Sequence, residues 1–138
     1  MWANIKVRDV MTRGVITVHP EMPAIKAAEI MAKNKVHGLA VVDNTGEAIG
    51  VITETDFVSA LGHKKPIKEL LVMNIMTAHV IAITPEATLS EAAKIMEKEK
   101  ISRLFVLAPH SAAVPSMRRP VGVISISDLI KVIAKERK

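Results

Sequence analysis

The 138-residue chain contains no cysteine and very few aromatic residues. The absence of cysteine excludes disulfides, thiolate metal ligands and cysteine nucleophiles. Its only aromatic residues are Trp2, Phe57 and Phe105, so the core must be built from Val, Ile, Leu, Ala and Met. This scarcity also argues against a surface for single-stranded nucleic acid, because such surfaces stack bases on aromatic side chains.

Long apolar runs are missing as well. No run approaches the ~20 residues that a membrane-spanning helix needs, and the N-terminus lacks the apolar segment of a secretory signal. We therefore expect a cytoplasmic protein without membrane insertion. The chain is 49% hydrophobic with a net charge of +5, which is typical of one small domain or of two small halves that share a core.

Recognisable enzyme motifs are absent. The sequence contains no GxSxG, HExxH, GxxxxGK[ST] or GxGxxG pattern, and its five histidines are scattered without metal-ligand spacing. The sequence therefore predicts a protein that is not an enzyme and that holds no catalytic residue or metal.

An internal repeat organises the chain. Residues 14–42 align with residues 79–107 without a gap, and 12 of these positions are identical. After seven extra residues in the second copy, the segment GVITETD (50–56) aligns with GVISISD (122–128). Repetition over this length indicates two copies of one structural unit.

Each copy has the pattern of a β-α-β-β-α unit, which gives an α/β (α+β) fold. We predict strands over 15–18, 38–42 and 48–53 and helices over 23–34 and 54–61, with equivalents over 80–83, 103–107, 121–125, 88–99 and 126–136. A turn at Asp43–Gly46 and a capping box at Thr88–Glu91 support these bounds. The first repeat, with an N-terminal approach segment, spans 1–65. The second spans 66–138, with a linker and a longer loop over 108–120. Since each unit is small, we expect the two to pack through their sheets with pseudo-two-fold symmetry.

The most informative local pattern is a hydroxyl residue followed three positions later by aspartate, at a strand-to-helix junction in both copies. Thr53 with Asp56 and Ser125 with Asp128 form this pattern. A carboxylate only accepts hydrogen bonds, so it suits the two hydroxyls of a ribose and repels a phosphate. The alternative is that both pairs simply cap their helices.

Two basic residues precede the middle strands. His37 and Arg103 are candidate phosphate partners, since arginine presents a planar fork and histidine donates through its ring. A packed histidine and a solvated arginine are the alternatives. The branched side chains around Val15, Ile16, Val80 and Ile81 are candidates to enclose a flat base, or they are ordinary core residues.

The repeated pattern VMT…VITVHP…AAEIMAKNKVHGLAVVD…GVITETD resembles the CBS domain (the cystathionine-β-synthase domain), and the tandem resembles a Bateman module. The resemblance covers nearly the whole chain. It implies regulatory binding of AMP, ADP, ATP or S-adenosylmethionine in one or both clefts between the repeats, and AMP is the leading expectation.

The resemblance also implies roles for individual residues. Asp56 and Asp128 would hold the ribose, His37 and Arg103 the phosphate. The hydroxyls of Thr53, Thr55, Ser125 and Ser127 would support ribose and phosphate. Residues around the first strands would line the adenine: Thr12, Val15, Ile16, Thr77, Val80 and Ile81. We expect Asp128 to act with residues 12–17 and His37, and Asp56 with residues 77–82.

Proteins of this kind commonly form homodimers and act on a partner, which the sequence leaves unnamed. Two alternatives remain open. S-adenosylmethionine, which carries no phosphate, is one alternative ligand. A nucleic-acid-binding or structural scaffold, using the basic surface, is the other and is the less favoured.

Overall fold

A computed structural model describes residues 1–111 and 114–135. The chain divides into two compact units. The central unit comprises Ile16–Val80, and the composite unit combines Met1–Val15 with Ile81–Lys138. The strands are β1 (Thr12–Arg13), β2 (Thr17–Val18), β3 (Gly38–Val42), β4 (Ala48–Thr53), β5 (Ala82–Ile83), β6 (Arg103–Ser111) and β7 (Val114–Ser125). The helices are α1 (Ala24–Asn34), α2 (Glu54–Gly62), α3 (Val72–Ile75), α4 (Leu89–Glu99) and α5 (Ile126–Lys135).

The central unit has the predicted order of strand, helix, strand, strand and helix. Its sheet order is β2-β3-β4, with β2 parallel to β3 and β3 antiparallel to β4. Helix α1 begins after Pro23, whose ring fixes its φ, and ends at Lys35 in the left-handed region. The helix buries Ala27 and Met31 in the same cluster as Leu39. Full burial of a side chain such as Leu39 stabilises the fold by about 1.5–3 kcal/mol.

The turn between β3 and β4 is the predicted one. The Asp43 carboxylate accepts hydrogen bonds from the Thr45 N–H (2.8 Å), the Thr45 hydroxyl (2.5 Å) and the Glu47 N–H (3.1 Å). Gly46 supplies the positive φ of 89° that closes the turn. The hydrogen bond from the Thr45 hydroxyl, more than any other contact, lowers the pKa of the Asp43 carboxyl.

The composite unit contains the β-α-β-β-α elements of the second repeat, and its sheet order is β1-β7-β6-β5. The predicted capping box begins helix α4: the Thr88 hydroxyl accepts from the Glu91 N–H at 3.2 Å, and the Glu91 carboxylate accepts from the Thr88 N–H at 3.1 Å. Met96 of this helix and Leu104 and Ile124 of the sheet are buried in one cluster. The β-α-β-β-α order is therefore confirmed in both repeats.

The segment that precedes each repeat packs against the other repeat, within one compact unit. The N–H of Val7 donates to Ala87 of the second repeat at 2.8 Å, and the N–H of Val72 donates to Met22 of the first repeat at 2.8 Å. Both valines are fully buried, so each approach segment completes the core of the other repeat. The boundary at residue 65 separates the two repeats along the sequence. The compact units are instead separated between residues 15 and 16 and between residues 80 and 81.

The loop predicted over 108–120 is instead an extension of a β-hairpin. Strands β6 and β7 pair Ala108 with Arg119 and Pro109 with Arg118, although the register shifts near Leu107 and beyond Pro109. Prolines suggested a loop because they cannot donate to a ladder. A two-stranded extension tolerates them, since half of its N–H groups face away from the partner strand. Residues 112 and 113 lie outside the described part of the chain.

Candidate functional site

The first junction set, Thr53, Thr55 and Asp56, lies where β4 enters α2 in the central unit. The Asp56 Oδ2 accepts hydrogen bonds from the Thr53 N–H at 2.8 Å and from the Thr53 hydroxyl at 3.2 Å. The Thr55 hydroxyl lies 3.3 Å from that of Thr53. Asp56 is half-buried and Thr55 is exposed. The helix start thus holds a fixed carboxylate beside two hydroxyls.

The second junction set, Ser125, Ser127 and Asp128, repeats this geometry where β7 enters α5 in the composite unit. The Asp128 Oδ2 accepts from the Ser125 N–H at 2.8 Å and from the Ser125 hydroxyl at 3.0 Å. The hydroxyls of Ser125 and Ser127 are 2.9 Å apart. In both sets the cap uses Oδ2, so capping is compatible with ligand binding through the other carboxylate oxygen.

A strand segment lies beside each junction set, and a glycine permits its close approach. Thr12 of β1 pairs with Val123, and Thr77 pairs with Val51. A Cβ atom on Gly50 would lie 2.8 Å from the Thr77 carbonyl oxygen, and one on Gly122 would lie 2.8 Å from the Thr12 carbonyl oxygen. The structure therefore brings Thr77 to Asp56 and Thr12 to the end of β7.

One contact of the first set was not predicted. The Thr77 hydroxyl donates to Asp56 Oδ1 at 3.0 Å, across 21 positions of sequence. Since Oδ2 is engaged by Thr53, both oxygens of the Asp56 carboxylate have partners. Thr77 was expected to line a base, and the structure gives it a direct contact with the carboxylate.

The two basic candidates have different partners. The His37 ring lies 3.1 Å from the Glu54 carboxylate, with both side chains at least half exposed. Arg103 donates to the Ser102 hydroxyl at 3.1 Å. Glu54 was missed from sequence, although the β3–β4 register pairs Gly38 with Thr53 and so places His37 next to Glu54.

An apolar groove adjoins the contact between His37 and Glu54 within the central unit. It encloses about 420 Å³ between α1 and α2. Met31, Val36 and Phe57 line it together with His37 and Glu54. The groove was not predicted, because it depends on how the two helices lie on the sheet.

The remaining predicted base-lining residues fall outside the strands. Strands β2 and β5 have two residues each, so they are shorter than predicted and exclude Val15, Ile16, Val80 and Ile81. Ile16 packs against the core of the central unit and Ile81 against that of the composite unit. The predicted action of His37 with Asp128 concerns residues of different units and stays a prediction.

Within residues 1–111 and 114–135, no cluster of His, Asp and Glu could hold a metal ion. No helix in the same part of the chain has the length and apolar character to cross a membrane.

Two β-α-β-β-α repeats, each with a hydroxyl and a carboxylate at the same strand-to-helix junction, define a tandem-repeat α/β protein. The chain belongs to the CBS domain family, which matches residues 7–63 and 72–135. This match confirms the resemblance drawn from the repeated motifs.

The chain is similar to parts of two longer proteins. The chain is 30% identical to L-aspartate semialdehyde sulfurtransferase of Methanocaldococcus jannaschii over 132 residues, which are 95% of this chain and 24% of that protein. It is 34% identical to inosine-5'-monophosphate dehydrogenase of Aquifex aeolicus over 119 residues, 84% of this chain and 22% of that protein. The chain thus spans about a quarter of the length of either relative.

Solved structures share the fold. The CBS domain pair of protein MJ0100, in complex with 5'-methylthioadenosine and S-adenosyl-L-methionine, superposes with a TM-score of 0.81 at 27% identity, covering 95% of this chain and 97% of that chain. A CBS-domain containing protein from Agrobacterium tumefaciens gives a TM-score of 0.76 at 26% identity, covering 93% and 98%.

Proposed function

We propose that this chain is a regulatory module without enzymatic activity that binds an adenosine-containing ligand at one or both junction sets. AMP is the leading ligand, and ADP and ATP belong to the same class. The observation that carries the proposal is the repeated carboxylate, Asp56 and Asp128, held at a helix start beside hydroxyl groups. A carboxylate in this position can accept hydrogen bonds from both hydroxyls of a ribose diol.

The proposed phosphate contact is Arg103. It pairs with Ser125 in the β6–β7 register, so it lies at the strand end that carries the second junction set. Its guanidinium can bond two phosphate oxygens at once. His37 is the equivalent candidate in the first repeat, where Glu54 competes for it. The base is proposed to contact the segments that contain Thr12, Val15 and Ile16 and that contain Thr77, Val80 and Ile81.

S-adenosylmethionine is the second candidate ligand. The complex of the MJ0100 domain pair holds this compound and 5'-methylthioadenosine, and both carry an adenosine without phosphate. The junction carboxylates suit their ribose as well as that of a nucleotide. The phosphate therefore distinguishes the two candidates.

The proposed output is a change in assembly that a partner protein reads in the cytoplasm. Helix α5 exposes Ile126, Ile130 and Ile133 at 47%, 58% and 44%, which form one stripe at helical spacing. Helix α2 exposes Val58 and Leu61 at 66% and 70%. Apolar faces of this kind suit a second copy of the chain, so we propose a homodimer. A ligand can shift the equilibrium between monomer and dimer only by its difference in affinity for these two states.

Calorimetric titration tests the ligand class. Ligand-free protein is titrated with AMP, ADP, ATP and S-adenosylmethionine, with GMP as the control for the base. We expect at least one adenosine compound to bind and GMP to bind more weakly. The variant Arg103→Ala should weaken a nucleotide about tenfold or more, because a charge-assisted contact is lost, and leave S-adenosylmethionine unchanged. Release of phosphate from any bound nucleotide would contradict the non-enzymatic part of the proposal.

A further inference from the structure

The two junction sets differ in how fully their carboxylates are occupied by the protein itself. Asp56 accepts from Thr53 through Oδ2 and from Thr77 through Oδ1. Asp128 accepts from Ser125 through Oδ2. Among the residues that the structure describes, none donates to Asp128 Oδ1. Both oxygens of the Asp56 carboxylate therefore have internal partners, whereas only Oδ2 of Asp128 has one among the described residues.

The threonines of the two adjacent segments lie at equivalent positions. Thr77 lies opposite Val51, and Thr12 lies opposite the equivalent Val123. Pairing continues to Arg13 beside Thr12, whereas Thr77 forms a single bridge. Only the threonine of the single bridge places its hydroxyl on the neighbouring aspartate, among the described residues.

The basic residues show the same contrast. His37 is paired with Glu54 in the first repeat. The position equivalent to Glu54 in the second repeat is Ile126, which carries no charge. Among the described residues, the side chain of Arg103 hydrogen-bonds to the Ser102 hydroxyl. In the central unit, Asp56 and His37 thus both have internal partners.

We infer that the second junction set binds its ligand first and that Thr77 sets the affinity of the first. This inference rests on the proposed function, because it concerns the same ribose-binding carboxylates. A diol that approaches Asp56 must compete with the Thr77 hydroxyl for Oδ1. At Asp128 the equivalent oxygen accepts a ligand hydroxyl without that competition. The two sets therefore fill in a fixed order.

Calorimetry on the full chain with AMP and with S-adenosylmethionine tests this order. We expect Asp128→Ala to remove the tighter binding event and Asp56→Ala to remove the weaker one. Thr77→Val keeps the side-chain shape and removes the hydroxyl, so it should tighten the weaker event about threefold to tenfold. Where the unaltered chain shows one event, Thr77→Val should reveal a second.

Thr45→Val is the matched control, because it also removes a threonine hydroxyl that donates to an aspartate, at the turn after β3. It should change neither event. Loss of the tighter event in Asp56→Ala, or unchanged or weaker binding in Thr77→Val, would overturn the inference and leave the proposed function standing. If the unaltered chain bound neither AMP nor S-adenosylmethionine, the inference and the proposed function would both be overturned.

Discussion

Alanine at Gly50 should loosen the segment that carries Thr77. The new Cβ atom would lie 2.8 Å from the Thr77 carbonyl oxygen and 3.2 Å from the Met76 sulfur. The sulfur belongs to a flexible side chain and can move, but the carbonyl belongs to the backbone. The segment must therefore shift away from β4.

The magnitude follows from two opposing effects. Overpacking of this kind costs about 1–3 kcal/mol, and alanine in place of a strand glycine returns about 0.5–1 kcal/mol. The shift also strains the two hydrogen bonds between Val51 and Thr77, at 2.8 and 2.9 Å, each worth about 0.5–1.5 kcal/mol. We expect Gly50→Ala to lower the free energy of unfolding by about 1–3 kcal/mol.

Urea unfolding followed by far-ultraviolet circular dichroism measures this change. Gly62→Ala is the matched control, since Gly62 ends helix α2 and a Cβ atom there meets nothing within 4 Å. It should leave stability unchanged or raise it by at most about 1 kcal/mol. If Gly50→Ala were as stable as Gly62→Ala, the close approach of the Gly50 and Thr77 backbones would be refuted.

Three further predictions concern other parts of the chain. Thr88→Ala removes the cap of helix α4 and should cost about 0.5–2 kcal/mol in urea unfolding; no loss would contradict the capping box. Thr45→Val removes the main hydrogen bond that lowers the pKa of Asp43, so that pKa should rise in a carboxyl NMR titration. A lowered carboxyl pKa stabilises the fold above the unfolded pKa, and this stabilisation is lost as pH falls through the folded pKa. The variant should therefore lose less stability than the unaltered chain on acidification. An unchanged pKa would contradict this prediction. Ile130→Glu places a charge on the exposed stripe of α5 and should shift a dimer to a monomer in light scattering, whereas an unaltered dimer would contradict the proposed interface.

Local signals predicted most of the fold. The proline before α1, the capping box of α4 and the turn at Asp43–Gly46 each set an element bound that the structure reproduces within a residue or two. These signals depend on neighbouring residues, whose preferences act in any context. The order of elements in the second repeat then follows from the internal alignment.

Local signals did not predict contacts between residues that are far apart in the sequence. The exchange of the approach segments depends on which core Val7 and Val72 complete, and both cores are similarly apolar. The extension of strands β6 and β7 was not predicted, because the prolines of this segment indicated a loop. A two-stranded extension accommodates them. The local hydroxyl and carboxylate pattern of each junction set was predictable, but the contact from Thr77 to Asp56 required the tertiary fold.

The most direct test of ligand binding is calorimetric titration of the Asp56→Ala and Asp128→Ala variants, and of the double variant, with the adenosine compound that binds the unaltered chain best. Asp9→Ala serves as the control, because Asp9 is an exposed aspartate outside both junction sets. Where the unaltered chain shows two binding events, we expect each single variant to lose one. We expect the double variant to lose all binding and Asp9→Ala to bind as the unaltered chain does. Full affinity in the double variant would contradict a role for these carboxylates in holding the ribose.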